Sequence, residues 1–500
     1  MSTSRRTFLK TSALAAAGTV LPARSWANVL GANDDIRVAV IGLNGRGMNH
    51  VSSLARISGV RVVALCDPDT AVLERAKTRG KLPEAKTYTD IRELLANKDI
   101  DAVTIATPNH WHSLAAIWAV QNGKDVYVEK PVSHNVWEGR QLVNAAKKYN
   151  KVVQAGTQIR SGEGLQEAVQ WIRAGNLGKI TASRGFCYKR RDSIGKTTGP
   201  QPIPATVNYD LWTGPAPLVP PHRNNPKVGP IHYDWHWVYL YGNGDVGNQG
   251  IHQMDVARWF LGESGLPRHT ISIGGRLGYV DDGDTPNTQV VVHDYATAPL
   301  IFEVRGLPKK AGVQGAGGDP AANQGGGSRD MDNYRGVDIG NVVDCEGGNL
   351  VTRGYFGAVA YDKAGKVVKE FKGDDRHMQN FIDVIRSRKT EELYGPIEEG
   401  NTSSALCHLG NISHQIGSQA GPAKIAARIK SDVKLAEAYG RMVEHLHNNN
   451  VDLDKTPLTL GVPLIVDAKN ERFLGADAAR ANKLLSAQYR APFTVPSIVA

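Results

Sequence analysis

Short apolar runs alternate with amphipathic stretches through the first third of the chain. Residues 36–41, 60–65, 100–106, 125–128 and 151–155 are apolar and rich in β-branched side chains at consecutive positions, as strands buried on both faces are. Helical periodicity fills the gaps: from the turn after residue 41 through 54, from 70 to 79, up to 122, and from 136 to 149. Strand and helix in strict alternation predict a doubly wound parallel sheet.

The pattern changes beyond residue 157. An amphipathic helix is predicted over 165–173 and a strand over 181–188, followed by a loop-rich stretch, 200–230, with Pro215, Pro217, Pro220 and Pro221. Residues 232–241 carry a dense aromatic strip. Trp235, His236, Trp237 and Tyr239 are its candidates for a sugar-facing surface, with some of the strip expected in the core, because aromatic rings combine apolar area with polar edges. Residues 306–348 are glycine-rich and read as an insertion or loop rather than as sheet core. Helices are predicted over 377–388, 403–416 and 433–448, the last as an exposed terminal helix. The expected organisation is a signal at 1–27, a nucleotide domain at 34–157, a substrate domain at 158–425, and a helical extension and tail at 426–500.

The N-terminus changes the picture most. Arg5-Arg6 precede Phe8-Leu9-Lys10, then a short apolar run, 13–21, then the small-residue site Ser25-Trp26-Ala27. That order is a twin-arginine export signal, and the apolar run is too short to span a bilayer. This route exports folded proteins, so a cofactor can be acquired before export. Localisation is therefore expected to be periplasmic or otherwise exported, with the twin-arginine machinery as a partner and no stable membrane anchor. Losing Arg5, Arg6, Lys10 and Arg24 with the signal takes the formal charge from +10 to +6. No basic block with interleaved aromatics occurs, so nucleic acid is not an expected partner. Cys66, Cys187, Cys345 and Cys407 have no zinc or disulfide spacing and read as free thiols; no metal site is expected.

Chemistry begins at Gly42-Leu43-Asn44-Gly45-Arg46-Gly47, between the first strand and the first helix. A G-x-G-x-x-G turn would carry glycine at 44; Asn44 is the next most tolerant of positive φ. The turn offers backbone N–H groups at a helix start, where a pyrophosphate is favoured. Asp67 ends the next strand, placed to accept hydrogen bonds from ribose hydroxyls and to repel a 2′-phosphate, which favours NAD over NADP. Glu129-Lys130-Pro131 stand at a strand's carboxyl end, which faces the ligand crevice in this fold. Lys130 there can stabilise negative charge on a substrate oxygen.

Together the glycine turn, Asp67, Pro108-Asn109-His110-Trp111-His112 and Glu129-Lys130-Pro131 resemble the Gfo/Idh/MocA oxidoreductase family. The resemblance implies a Rossmann domain binding NAD(P), with Pro108, Asn109, His112 and Glu129 joining the cofactor site. It also implies a C-terminal α+β domain with a large open, mostly antiparallel sheet that presents a sugar or polyol, and self-association through that sheet. The family's D-x-x-x-H-x-x-D segment is matched here by Asn248, His252 and Asp255, which recur at helical spacing. His252 is the implied base and Lys130 its partner on the substrate oxygen, while Asn248 and Asp255 orient neighbouring hydroxyls. Asn248 cannot supply the charge that raises a histidine's basicity. The expected activity is hydride transfer on a sugar, polyol or glycoside with tightly bound NAD. The alternatives are a NAD-dependent glycosidase or lyase working through a transient 3-keto sugar, and a non-catalytic sugar-binding protein.

Overall fold

The computed structural model describes residues 35–313 and 330–499. The export signal at 1–27 and the centre of the glycine-rich stretch lie outside the described residues.

The nucleotide domain runs β1 (Ile36–Ile41), α1 (Arg46–Leu54), β2 (Val60–Cys66), α2 (Thr70–Gly80), β3 (Lys86–Tyr88), α3 (Ile91–Ala96), β4 (Ala102–Ile105), α4 (Asn109–Gln121), β5 (Asp125–Val128), α5 (Val136–Lys148) and β6 (Val153–Ala155). Its six strands are ordered β3-β2-β1-β4-β5-β6 and all run parallel. Every residue of β4 and β5 is buried, as the unbroken apolar runs require. The strand order reverses between β1 and β4, which opens a crevice at their carboxyl ends.

The second domain begins with α6 (Glu163–Arg173) and β7 (Ile180–Tyr188). Three short helices follow: α7 (Tyr209–Thr213), α8 (Gly244–Asn248) and α9 (Gly250–Leu261). The chain continues through β8 (His269–Gly275), β9 (Thr288–Asp294), β10 (Leu300–Arg305), β11 (Ile339–Cys345), β12 (Gly348–Arg353), β13 (Gly357–Asp362) and β14 (Val367–Phe371). The last elements are α10 (His377–Ser387), α11 (Ile397–Gln415), β15 (Ser418–Ala420), α12 (Pro422–Ile429), α13 (Val433–Asn448), β16 (Leu458–Leu460), β17 (Leu464–Asp467) and β18 (Arg472–Leu474). The strands form one twelve-stranded sheet, antiparallel except where β10 pairs with β7.

Four expectations are corrected. The glycine-rich stretch contains β11, which pairs with β7 from Ile339 opposite Cys187 to Cys345 opposite Ile180. Its Val342 and Val343 are fully buried, a two-residue apolar signal masked by glycines. The 433–448 helix is not an exposed appendage. Leu435, Ala438, Tyr439, Met442 and Leu446 form a buried stripe packed on Ile273, Val290, Val292 and Ile301, with Ile425 and Ile429 of α12 beside them. These helices cover the sheet over β8–β10, a face the family resemblance offers for self-association. The substrate domain also does not close at 425, because β16, β17 and β18 extend the same sheet. Finally, the nucleotide domain recruits later chain. Phe381, Ile382, Val384 and Ile385 of α10 complete its core on one side; Phe493, Val495 and Ile498 of the tail pack on the other.

All four cysteines are free thiols, three of them buried. Among the described residues no helix is long and apolar enough to cross a membrane.

Candidate active site

A cavity of about 800 Å³ runs from the glycine turn, along the ends of β4 and β5, to α8 and α9 of the second domain. At its first end the backbone needs two glycines. Gly42 has φ +83°, and a Cβ there would stand 2.6 Å from the Ala106 carbonyl; a Cβ on Gly47 would stand 1.8 Å from the Gly42 oxygen. Gly45 has φ +133° with open space where its Cβ would be. Asn44 is not among the positive-φ residues, so the turn uses Gly42 and Gly45 for its left-handed geometry and asks nothing special of position 44. α1 starts here with no side-chain cap, and Asn44, Gly45 and Arg46 line the cavity. Asp67 is buried against the same wall. Its carboxylate accepts the Leu43 and Asp69 amides at 2.9 and 3.0 Å. Burial pushes its pKa up to about 6 despite those bonds. Arg79 of α2 also lines this end, a cation absent from the sequence reading of cofactor choice.

The middle of the cavity is organised by Glu129. Its Oε1 accepts hydrogen bonds from Arg46 Nε at 2.8 Å and Gln158 Nε2 at 2.9 Å, and lies 3.1 Å from His50 Nε2. Burial alone would raise this carboxyl; Arg46, with His50 and Lys130, holds it well below the usual carboxylate range. Pro108, Asn109 and His112 line the same wall, with Asn109 Oδ1 buried and without a protein partner. The His112 ring nitrogens lie 2.6 Å from the Pro131 oxygen and 2.8 Å from the Thr107 oxygen. That side chain therefore ties the β4 and β5 ends together.

At the far end Lys130 donates to the Asn248 carbonyl at 2.5 Å. Burial pulls its pKa down to about 8, Glu129 opposing and Arg46 assisting. His252 faces the same space, with Nδ1 buried and unpartnered. Burial, then the Lys130 charge, push its imidazole well below the usual value, so it stands as a neutral base. Asn248 lines the wall, but α8 ends at it and α9 begins at Gly250, so it does not share one continuous helical face with His252. Gly250 permits this break to pack: a Cβ there would meet the Phe302 ring at 2.4 Å.

Asp255 is corrected. Its carboxylate accepts Arg160 Nε and Nη2, each at 2.8 Å, and Ser403 Oγ at 2.6 Å, and it does not line the cavity. It is a structural ion pair between α9 and the segment after β6. The aromatic strip divides. Trp235 and His236, stacked with ring centroids 3.6 Å apart, line the cavity. Trp237 is buried outside it under the Arg191 guanidinium, and Tyr239 lies outside it with its hydroxyl 3.5 Å from Asn411 Oδ1. Neither of these two is placed to meet a sugar.

Several cavity residues escaped the sequence reading. His50 sits one turn into α1; Gln158 and His377 come from distant segments. Tyr355, at the β12–β13 turn, tilts its ring over His252 at 5.5 Å and accepts Gln249 Nε2 at 2.9 Å. Nothing in the local pattern marked that turn. Among the described residues no group of three His, Cys, Asp or Glu side chains could hold a metal ion.

A parallel sheet with its glycine turn at the strand-order reversal, opening onto a lysine and a histidine at the second domain, is the architecture of an NAD-binding oxidoreductase fold. Residues 36–157 match the oxidoreductase family with NAD-binding Rossmann fold, and residues 165–281 match that family's C-terminal α/β domain. The chain belongs to the Gfo/Idh/MocA family. Residues 2–22 match the twin-arginine translocation signal, so the protein is exported by that pathway. A protein of Shewanella pealeana named glycosyl hydrolase family 109 protein is 33% identical over 205 residues, 36% of this chain and 45% of that one. An α-N-acetylgalactosaminidase of Shewanella oneidensis is 33% identical over 152 residues, 29% and 33% of the two chains. The chain thus spans less than half the length of these curated relatives. Among solved structures, the WlbA dehydrogenase of Bordetella pertussis in complex with NADH and UDP-GlcNAcA superposes with a TM-score of 0.53 at 17% identity, covering 75% of this chain and 95% of that one. An oxidoreductase of Agrobacterium radiobacter in complex with NAD+, L-tartaric acid and magnesium gives 0.51 at 14%, covering 76% and 96%. These two likenesses show the fold.

Proposed function

We infer that this exported enzyme moves hydride at a hydroxyl-bearing carbon of a sugar, polyol or glycoside, with NAD held tightly in the crevice. The carrying observation is that Lys130 and His252 reach one cavity whose other end is the glycine turn. The cradle fits a dinucleotide: a turn in which Gly42 and Gly47 leave no space for a Cβ, an uncapped helix start and a buried acid at the end of β2. Asp67 supports NAD over NADP. When bound, the dinucleotide supplies a hydride acceptor and donor.

The chain's residues do the rest. Lys130 Nζ donates to the substrate oxygen and stabilises charge developing there. His252 accepts the hydroxyl proton; burial and the Lys130 charge make it a weak base, so proton removal proceeds in step with hydride departure. Glu129 keeps Arg46 and Lys130 charged beside it. Trp235 and His236 offer ring faces to the sugar.

A second reading is favoured by the two glycosidase-named relatives. Oxidation at C3 would acidify the neighbouring C–H, elimination would release the aglycone, water would add at the anomeric carbon in a glycosidase (and not in a lyase), and the hydride would return to C3. Such a cycle needs no external oxidant, which suits an enzyme working where free NAD is scarce. The test is to purify the exported protein, denature it and identify the released dinucleotide, then offer glycosides and free sugars. A keto sugar with reduced cofactor supports net oxidation; released aglycone without net redox change supports cleavage. A protein that neither carries nor takes up dinucleotide contradicts both.

A further inference from the structure

A segment of the second domain crosses the cavity and is fastened to the nucleotide domain on both banks. On the first bank, Val207 bridges Asp69 in antiparallel register. Thr70 N donates to the Thr206 oxygen at 2.9 Å and Asn208 N to the Pro68 oxygen at 2.8 Å. Thr70 Oγ1 adds a bond to the same Thr206 oxygen at 3.2 Å. Farther along, His232 Nε2 lies 2.9 Å from Asp69 Oδ2. Asp69 donates its amide to Asp67, which in turn accepts Leu43 of the glycine turn. On the second bank, Trp111 Nε1 at the start of α4 donates to the Trp212 oxygen at 3.0 Å, and His110 N donates to the Tyr241 oxygen at 3.3 Å. Between these attachments Leu211, Trp212, His232, Tyr233 and Trp235 face the cavity.

We propose that residues 206–241 form a fixed roof over the dinucleotide crevice, and that the His232–Asp69 contact is the latch that keeps bound dinucleotide from leaving. This rests on the reading that the cavity takes a dinucleotide. The two banks are the β2–α2 turn and the start of α4, which flank the strand-order reversal where such a ligand lies. A ligand reaching from one to the other passes under the segment, and its departure requires the backbone bonds and the charge-assisted contact to open together. His232 is thus a positioning residue for retention, not for chemistry. The arrangement suits a protein that folds around its cofactor in one compartment and works in another.

The test uses the full chain loaded with NAD and diluted into an enzyme that consumes free NAD, with the bound fraction followed over time. His232→Ala is expected to release dinucleotide about tenfold faster than the unaltered protein, a step typical of losing a hydrogen bond to a charged group. His232→Gln is expected to restore part of the retention. Thr70→Val, which deletes only a side-chain bond to the roof, is expected to shift release in the same direction by less. Thermal unfolding identifies folded variants, and Thr70→Val decides if His232→Ala does not fold. Folded variants that hold dinucleotide as long as the unaltered protein overturn the latch and leave the dinucleotide reading standing. An unaltered protein that cannot be loaded overturns both.

Discussion

Lys130 is held between an acid that keeps its charge and burial that opposes it, which puts its pKa at about 8. If its ammonium holds the substrate oxygen, turnover falls as pH rises through about 8. Lys130→Arg, whose charge persists, loses that alkaline limb; a pH profile of both proteins checks it. His252→Ala is expected to lower turnover about 10²–10⁴-fold, the usual worth of a positioned base, while dinucleotide remains bound. Steady-state rates and bound-cofactor content read the two effects separately. Lys130 could be picked out because it ends a buried strand, whereas His252 came only from the family resemblance, its own helix being otherwise apolar; both line the one cavity. Asp255 misled for the opposite reason. Its helical spacing from His252 is real, but its partner Arg160 lies 95 positions away, and no local pattern announces that pair. Tyr355 was invisible on the same ground.

At the scale of elements, the parallel strands could be read directly, since burial on both faces writes itself as consecutive apolar residues. β3 has only three residues, two of them exposed, and carries no such signature. β11 is hidden by its glycine-rich flank. The α13 stripe shows that one face is buried but not what buries it. Since Met442 is fully buried against the sheet, Met442→Ala is expected to cost about 2–5 kcal/mol in urea unfolding, where an exposed helix would lose little. α5 supplies a second test. It starts with a reciprocal cap between Asn135 and Glu138. Burial raises the Glu138 carboxyl from 4.5 to about 7, against the backbone bonds it accepts. A pKa raised on folding means that the native state holds the proton more strongly. The contribution is therefore present below pH 4.5 and is lost as pH rises through about 7. Glu138→Gln is expected to flatten the fall in stability over that window, as read from urea midpoints at several pH values.

For the whole molecule, the two domains act as one object because chain from each completes the other. α10 and the tail pack into the nucleotide core, the roof bridges the crevice, and α11 runs behind both, with Ser404 Oγ accepting the Val132 amide at 3.0 Å. The two-domain architecture followed from sequence; this interleaving did not, because it depends on contacts between segments hundreds of residues apart. The consequence is a cavity lined by chain from both domains. The most direct test of the central claim is to titrate the NAD-loaded protein with a panel of glycosides and sugars and follow the absorbance of reduced nicotinamide in the unaltered enzyme and in His252→Ala. The account predicts that at least one sugar raises that absorbance in the unaltered enzyme, with the rise abolished in the variant. An equal rise in both, or loaded enzyme that no sugar reduces even transiently, would contradict it.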